Sequence, residues 1–109
     1  MSALYSVKPK ATRDLDDYAG YLAEKATLEV ALRFFDQAHA TFALLATQPN
    51  MGWRSKANYP GLEALRVFRV RGFENMIILY RPLAGGVDIL RVIHSSRNLR
   101  ALLRREGTE

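Results

Sequence analysis

Residues 65–94, LRVFRVRGFENMIILYRPLAGGVDILRVIH, hold three short runs rich in β-branched and aromatic residues, Leu65–Val70, Met76–Tyr80 and Val87–Ile93, broken by Gly72 and by Gly85-Gly86. Such residues suit a pleated strand and glycine suits tight turns, so three consecutive antiparallel strands are expected. The register of the last two follows from the turn. If it centres on Ala84-Gly85, Arg81 lies opposite Asp88 as a cross-strand ion pair, and Ile77 and Leu79 share a face with Leu90 and Val92. That face is expected to receive helices. The opposite face then holds Met76, Ile78, Tyr80, Ile89, Arg91 and Ile93. An apolar surface with one arginine in it calls either for a partner or for a C-terminal helix folded over it.

Upstream, Leu4–Lys8 reads as a short strand ended by Pro9, and Thr12 offers an N-cap hydroxyl with Asp14, Asp16 and Asp17 in the first turns. Leu15, Tyr18, Ala19, Leu22 and Ala23 recur at helical spacing, leaving Arg13, Asp17, Gly20 and Glu24 outside the stripe. Thr27 can cap a second helix, Leu28 to Ala46, whose expected apolar face is Leu28, Ala31, Leu32, Phe35, Ala38, Phe42 and Leu45, with Pro49 closing it. Two helices so closely joined form a hairpin, and neither stripe can be buried by the other alone, so the sheet must cover them. Residues 49–61, PNMGWRSKANYPG, are rich in turn formers and read as an ordered surface loop carrying Trp53 and Tyr59. Downstream, Ser95 or Ser96 can cap a last helix, Asn98 to Arg105, with Leu99, Leu102 and Leu103 on one side and Arg100 and Arg104 on the other. The expectation is an α+β domain spanning 1–109 in the order β-α-α-β-β-β-α.

A chain of 109 residues without cysteine has no disulfide framework and no thiolate zinc site, and two histidines leave little for a catalytic metal. No cofactor is expected. The composition suits a reducing cytoplasm, with no signal peptide and no apolar run of membrane-spanning length. The net charge of +5 is uneven: residues 1–65 carry seven Lys/Arg and seven Asp/Glu, whereas residues 66–109 carry nine arginines and four acids. Arginine without lysine favours multidentate contact with carboxylates or phosphates, so an acidic protein or a nucleic acid is the expected partner, unless the charge serves solubility alone.

The run Phe68 to Leu103, FRVRGFENMIILYRPLAGGVDILRVIHSSRNLRALL, resembles the C-terminal signature of ParE-like toxins of the RelE/ParE family. The resemblance rests on Ile78-Leu79-Tyr80-Arg81, on Val87 through His94, and on Arg97-Asn98-Leu99 in that order. Pro49-Asn50-Met51-Gly52, the early strand and the Asp-rich first helix are also similar to the family. Asn98 departs from it, standing where the family usually has an acid, which removes an ion-pair partner for Arg97.

The resemblance implies the toxin of a type II toxin–antitoxin module, neutralised in a hetero-oligomer by an acidic antitoxin whose C-terminal segment wraps it. ParE-branch toxins are taken to trap DNA gyrase by binding; RelE-branch toxins cut mRNA on the ribosome, which is the alternative. On the first reading Arg97, Arg100 and Arg104 are expected to contact the target, and Ile78, Tyr80, Ile89, Arg91 and Ile93 the antitoxin, whose carboxylates could pair Arg91. On the second, a nuclease needs a base, an acid and cations around one phosphate, for which the candidates are His94, Arg81 and Arg91. His94 reads equally as an ordinary strand-end histidine and His39 as a core-edge residue. Tyr80 could stack on a base or fill the pleat. Trp53 reads as a lid on the helix hairpin or an interface anchor. A DNA-binding protein, suggested by pI ≈ 9.9, lacks helix-turn-helix spacing and aromatic sheet motifs.

Overall fold

In the computed structural model, residues 4–54 and 64–97 are described. Strand β1, Leu4–Val7, passes through an extended Lys8 (φ −67, ψ 154) directly into helix α1, Pro9–Lys25. A residue before proline prefers this extended region, and proline fits the first helical position because its missing N–H has no intrahelical partner there. The helix therefore starts before Thr12, whose N–H already donates to the Lys8 carbonyl. Thr12 is not the cap, and no acid lies in the first turn. Ala11, Leu15, Ala19 and Leu22 form the buried stripe, and Ala23 is exposed.

Ala26 and Thr27 join α1 to helix α2, Leu28–Thr47, and the Thr27 hydroxyl accepts from the Val30 N–H as expected. The buried face of α2 is Ala31, Phe34, Ala38, Thr41, Phe42, Leu45 and Ala46. It is turned from the expected one: Phe34 is fully buried, while Leu28 and Leu32 are 66% and 56% exposed. Both stripes are helical in period, and the choice between them falls to the sheet beneath.

That sheet has five strands: β1; β2, Trp53–Arg54; β3, Arg66–Val70; β4, Phe73–Leu83; and β5, Gly86–His94. Their order is β1-β5-β4-β3-β2, with β1 parallel to β5 and the other neighbours antiparallel. β2 was not expected; it lies inside the supposed loop. Gly85 takes φ +81 in the β4–β5 turn, while Gly86 serves close approach, since a Cβ on it would stand 1.7 Å from the Leu4 carbonyl oxygen. Glycine at 86 is what lets β1 dock.

Arg81 faces Asp88 as the turn predicts. One step on, Leu79 pairs with Arg91 and Tyr80 with Ile89, so Leu90 is an extra residue, a bulge that changes which side chains follow. Met76, Ile78, Tyr80, Val87, Ile89 and Val92 face the helices, whereas Leu65, Val67, Ile77, Leu79 and Ile93, with Leu90, form a second cluster on the other face. This reverses the expected assignment for β4 and for Ile89 and Leu90, while Val92 toward the helices and Ile93 on the other side, past the bulge, lie as expected. Both faces of β4 and β5 are apolar, so period-two alternation carries no sign of which one the helices cover. The expected helix from Asn98 to Arg105, with Arg100 and Arg104, lies outside the described residues.

Candidate functional site

Tyr80 organises the middle of the molecule. Its ring is fully buried in the helix-facing core. Its hydroxyl donates to the Pro49 carbonyl (2.8 Å) and accepts from the Gly52 N–H (2.9 Å). Burial raises the phenol pKa above its ordinary value of 10.0, against the opposing pull of the Gly52 hydrogen bond and the Arg66 charge. Arg66 adds to the clamp, its Nη1 donating to the carbonyls of Gly52 (2.6 Å) and Asn50 (3.3 Å). A Cβ at Gly52 would lie 2.6 Å from both the Tyr80 hydroxyl and the Val67 carbonyl oxygen, so only glycine fits. Tyr80 is thus a structural clamp on residues 49–52, with no face open to a base.

The arginines of the sheet are mostly committed within the chain. Asp88, 4% exposed, accepts from Arg81 Nε and Nη2 (3.2 and 3.1 Å) and from the Ser6 hydroxyl, with Lys8 Nζ at 3.6 Å. Its burial alone would raise its pKa, but the hydrogen bonds from Ser6 and Arg81 and the charges of Lys8 and Arg81 outweigh this and hold the carboxyl below its usual 3.8. Arg91 donates through Nε and Nη2 to the Asp14 carboxylate (2.7 and 3.0 Å), which also accepts the Val92 backbone N–H (2.9 Å). Past the Val7–Ile89 pair, no strand among the described residues neighbours that edge of β5, and the Asp14 carboxylate from α1 accepts the Val92 N–H there. The carboxylate expected of an antitoxin at Arg91 is therefore supplied internally.

The other expected antitoxin contacts change as well. Ile78, Tyr80 and Ile89 are fully buried in the helix-facing core, and Ile93 is 3% exposed in the opposite cluster, so these four do not form one open surface. Sequence alternation grouped them; the pleat and the Leu90 bulge separate them.

The three nuclease candidates do not converge either. Asp88, opposite Arg81, and His94 stand six residues apart on β5, which at ~3.3 Å per residue is roughly 20 Å. His94 lies at the strand end, where Nδ1 accepts from the Ser96 N–H (3.1 Å) and contacts its hydroxyl (2.9 Å), with the Tyr18 ring centroid 6.3 Å away. These contacts fit a strand-end histidine. His39 is exposed on α2, with Nδ1 2.8 Å from the Tyr5 hydroxyl and its ring against Phe42. Arg97 is exposed, and its backbone N–H donates to the His94 carbonyl.

The sequence reads Trp53 as a hairpin lid or an interface anchor. Its cross-strand partner is Val67, of the face away from the helices, so it is no lid on the hairpin. It is 52% exposed. Among the described residues, no group of three or more His, Cys, Asp or Glu is placed to hold a metal.

The sequence profile of the "ParE toxin of type II toxin-antitoxin system, parDE" matches residues 5–99. The chain belongs to the ParE toxin family. It is 29% identical over 99 residues to Toxin ParE1 of Caulobacter vibrioides, an alignment covering 91% of this chain and 96% of that protein. The solved structure of a chromosomal ParDE toxin–antitoxin system from P. aeruginosa superposes with a TM-score of 0.67 at 20% identity, over 86% of this chain and 95% of that one. The ParE-type fold, two helices packed on a five-stranded mixed sheet, thus recurs at low identity. Membership makes the chain the toxin component of a parDE-type module.

Proposed function

We propose that this ParE toxin acts in the cytoplasm by binding DNA gyrase and stabilising its cleaved-DNA state, that it is not a catalyst, and that an acidic antitoxin encoded beside it neutralises it in a hetero-oligomer. The observation carrying the non-catalytic reading is the commitment of the candidate active-site cations. Arg81 is bound to Asp88 and Arg91 to Asp14, and His94 is remote from Arg81. Cations already paired with carboxylates give little stabilisation to a developing phosphorane, so no ribonuclease constellation forms among the described residues. Arg97, exposed beyond β5, with Arg100 and Arg104 following it in sequence, supplies the cationic contact to the target.

The test is supercoiling and DNA cleavage by gyrase with purified toxin, alongside ribosome-dependent mRNA cleavage, each with and without the neighbouring acidic protein. The expected result is gyrase-linked breaks suppressed by that protein, with mRNA intact. Cleavage of mRNA that is lost on His94→Ala would replace this reading with the RelE-type one.

A further inference from the structure

Leu65, Val67, Ile77, Leu79 and Ile93 form the apolar outer face of the sheet, and all five are between 1% and 9% exposed. Both helices pack on the other face and the five strands lie in the sheet itself, so among the described residues no element covers this one. A sheet face open to water leaves its central side chains partly exposed, and exposure this low requires a third layer. In a single chain that layer has to come from residues 1–3, 55–63 or 98–109.

The topology separates these three segments. Residues 1–3 precede Leu4, which pairs with Gly86 beside the β4–β5 turn. Residues 55–63 leave Arg54, the partner of Arg66, and the chain returns through Leu65 at that same end of the sheet. Ile77 and Ile93 pair with each other toward the opposite end, one residue before β5 stops at His94. There the chain turns, with the Arg97 N–H donating to the His94 carbonyl (3.0 Å), so residue 98 follows close to Ile93. The sequence from that point, NLRALLRR, sets Leu99, Leu102 and Leu103 at i, i+3, i+4, with Arg100 and Arg104 on the other side of a helix. Leu99 to Leu103 would rise ~6 Å along such a helix. The Ile77–Ile93 and Val67–Leu79 rows stand two residues of β4 apart, which is ~7 Å. Three leucines thus match the two rows in length as well as in chemistry.

We propose that residues 98–105 dock on the outer sheet face as its third layer, with Leu99, Leu102 and Leu103 seated on Ile77, Leu79 and Ile93, and that this seat turns Arg100 and Arg104 outward. The seat does not depend on the gyrase reading. The test is a methyl NOE spectrum of the full-length toxin without a partner. Cross-peaks from the methyls of Leu99, Leu102 and Leu103 to those of Ile77 and Ile93 are expected. Their absence, or cross-peaks from Ile77 and Ile93 to residues 55–63 in their place, overturns the seat. Paired substitutions probe the two sides of the segment. Leu99→Ser with Leu102→Ser is expected to lower the thermal midpoint by roughly 5 °C or more and to open apolar surface to a hydrophobic dye, whereas Arg100→Ala with Arg104→Ala leaves both readings at their wild-type values. Equal falls for the two pairs, or no fall for the leucine pair, also overturn it. Wild-type toxin that shows the cross-peaks but breaks no DNA with gyrase upholds the seat and removes the gyrase reading alone.

Discussion

Asp14 and Arg91 show how much one side chain carries here. Their side chains are 15% and 12% exposed, and the carboxylate also receives the Val92 N–H on the edge of β5 past its pairing with β1. Replacing both by apolar groups is often tolerated in proteins, whereas removing one leaves the other charge without its counter-ion. Asp14→Asn keeps the shape and an acceptor for Val92 but discharges the pair, and is expected to lower stability by about 2–4 kcal/mol in urea unfolding. A change below ~0.5 kcal/mol would mean that the Asp14–Arg91 pair adds little to stability. Tyr80 makes the same argument with a neutral group. Tyr80→Phe keeps the ring in the core but removes the acceptor of the Gly52 N–H and the donor to Pro49. The expected loss is about 1–3 kcal/mol, the range for a buried group left unsatisfied. Gly52 amide protection in hydrogen exchange should fall with it.

Among elements, β1 depends for its place on a single absent side chain. It is four residues long and pairs in parallel with β5, at whose first position Gly86 meets the Leu4 backbone. Gly86→Ala forces a Cβ into that carbonyl, so β1 should detach, exposing the amides it shares with β5 and lowering stability by roughly 2 kcal/mol or more. Gly20 provides the contrast. It lies within α1, with nothing within 4 Å of a Cβ built there. Gly20→Ala should stabilise by about 0.5–1 kcal/mol through helix propensity and reduced unfolded-state freedom. Opposite signs for the two substitutions, read from thermal midpoints, are the expected outcome; equal signs would place β1 elsewhere.

At the scale of the molecule, charge is divided between the layers. α1 and α2 carry four Lys/Arg and six Asp/Glu, while residues 64–97 carry six arginines and two acids. The acid Asp88 ties β1, β4 and β5 together through Ser6, Lys8 and Arg81. Its lowered pKa means that, as pH falls below the ordinary 3.8, the unfolded chain takes up a proton that the folded one resists. Stability from Asp88 is therefore present above that value and lost on acidification through the folded pKa. Tyr80 acts at the other end. With its folded pKa raised above 10.0, the unfolded chain loses its proton first, so stability declines as pH rises past about 10. Urea midpoints across pH should fall at both ends, with Asp88→Asn flattening the acid limb and Tyr80→Phe the alkaline one.

Turn glycines, the Thr27 cap, the three later strand runs and the helical stripe of α1 are local matters, decided by φ/ψ preference and short-range periodicity. They were legible in the chain and sufficed for the α+β fold, and the Arg81–Asp88 register followed from the turn between them. The resemblance around Tyr80-Arg81 and Arg91–His94 likewise gave the family. Which face of β4 and β5 goes inward was not legible, because both are apolar and one bulged residue, Leu90, re-phases β5. The same reason turned the face of α2 toward Phe34 instead of Leu32. The arginines read in sequence as a free cationic surface because charge counts carry no distances. Only the packed chain brings Asp14 to Arg91 across 77 residues of sequence, and leaves Trp53 at the margin of the outer face.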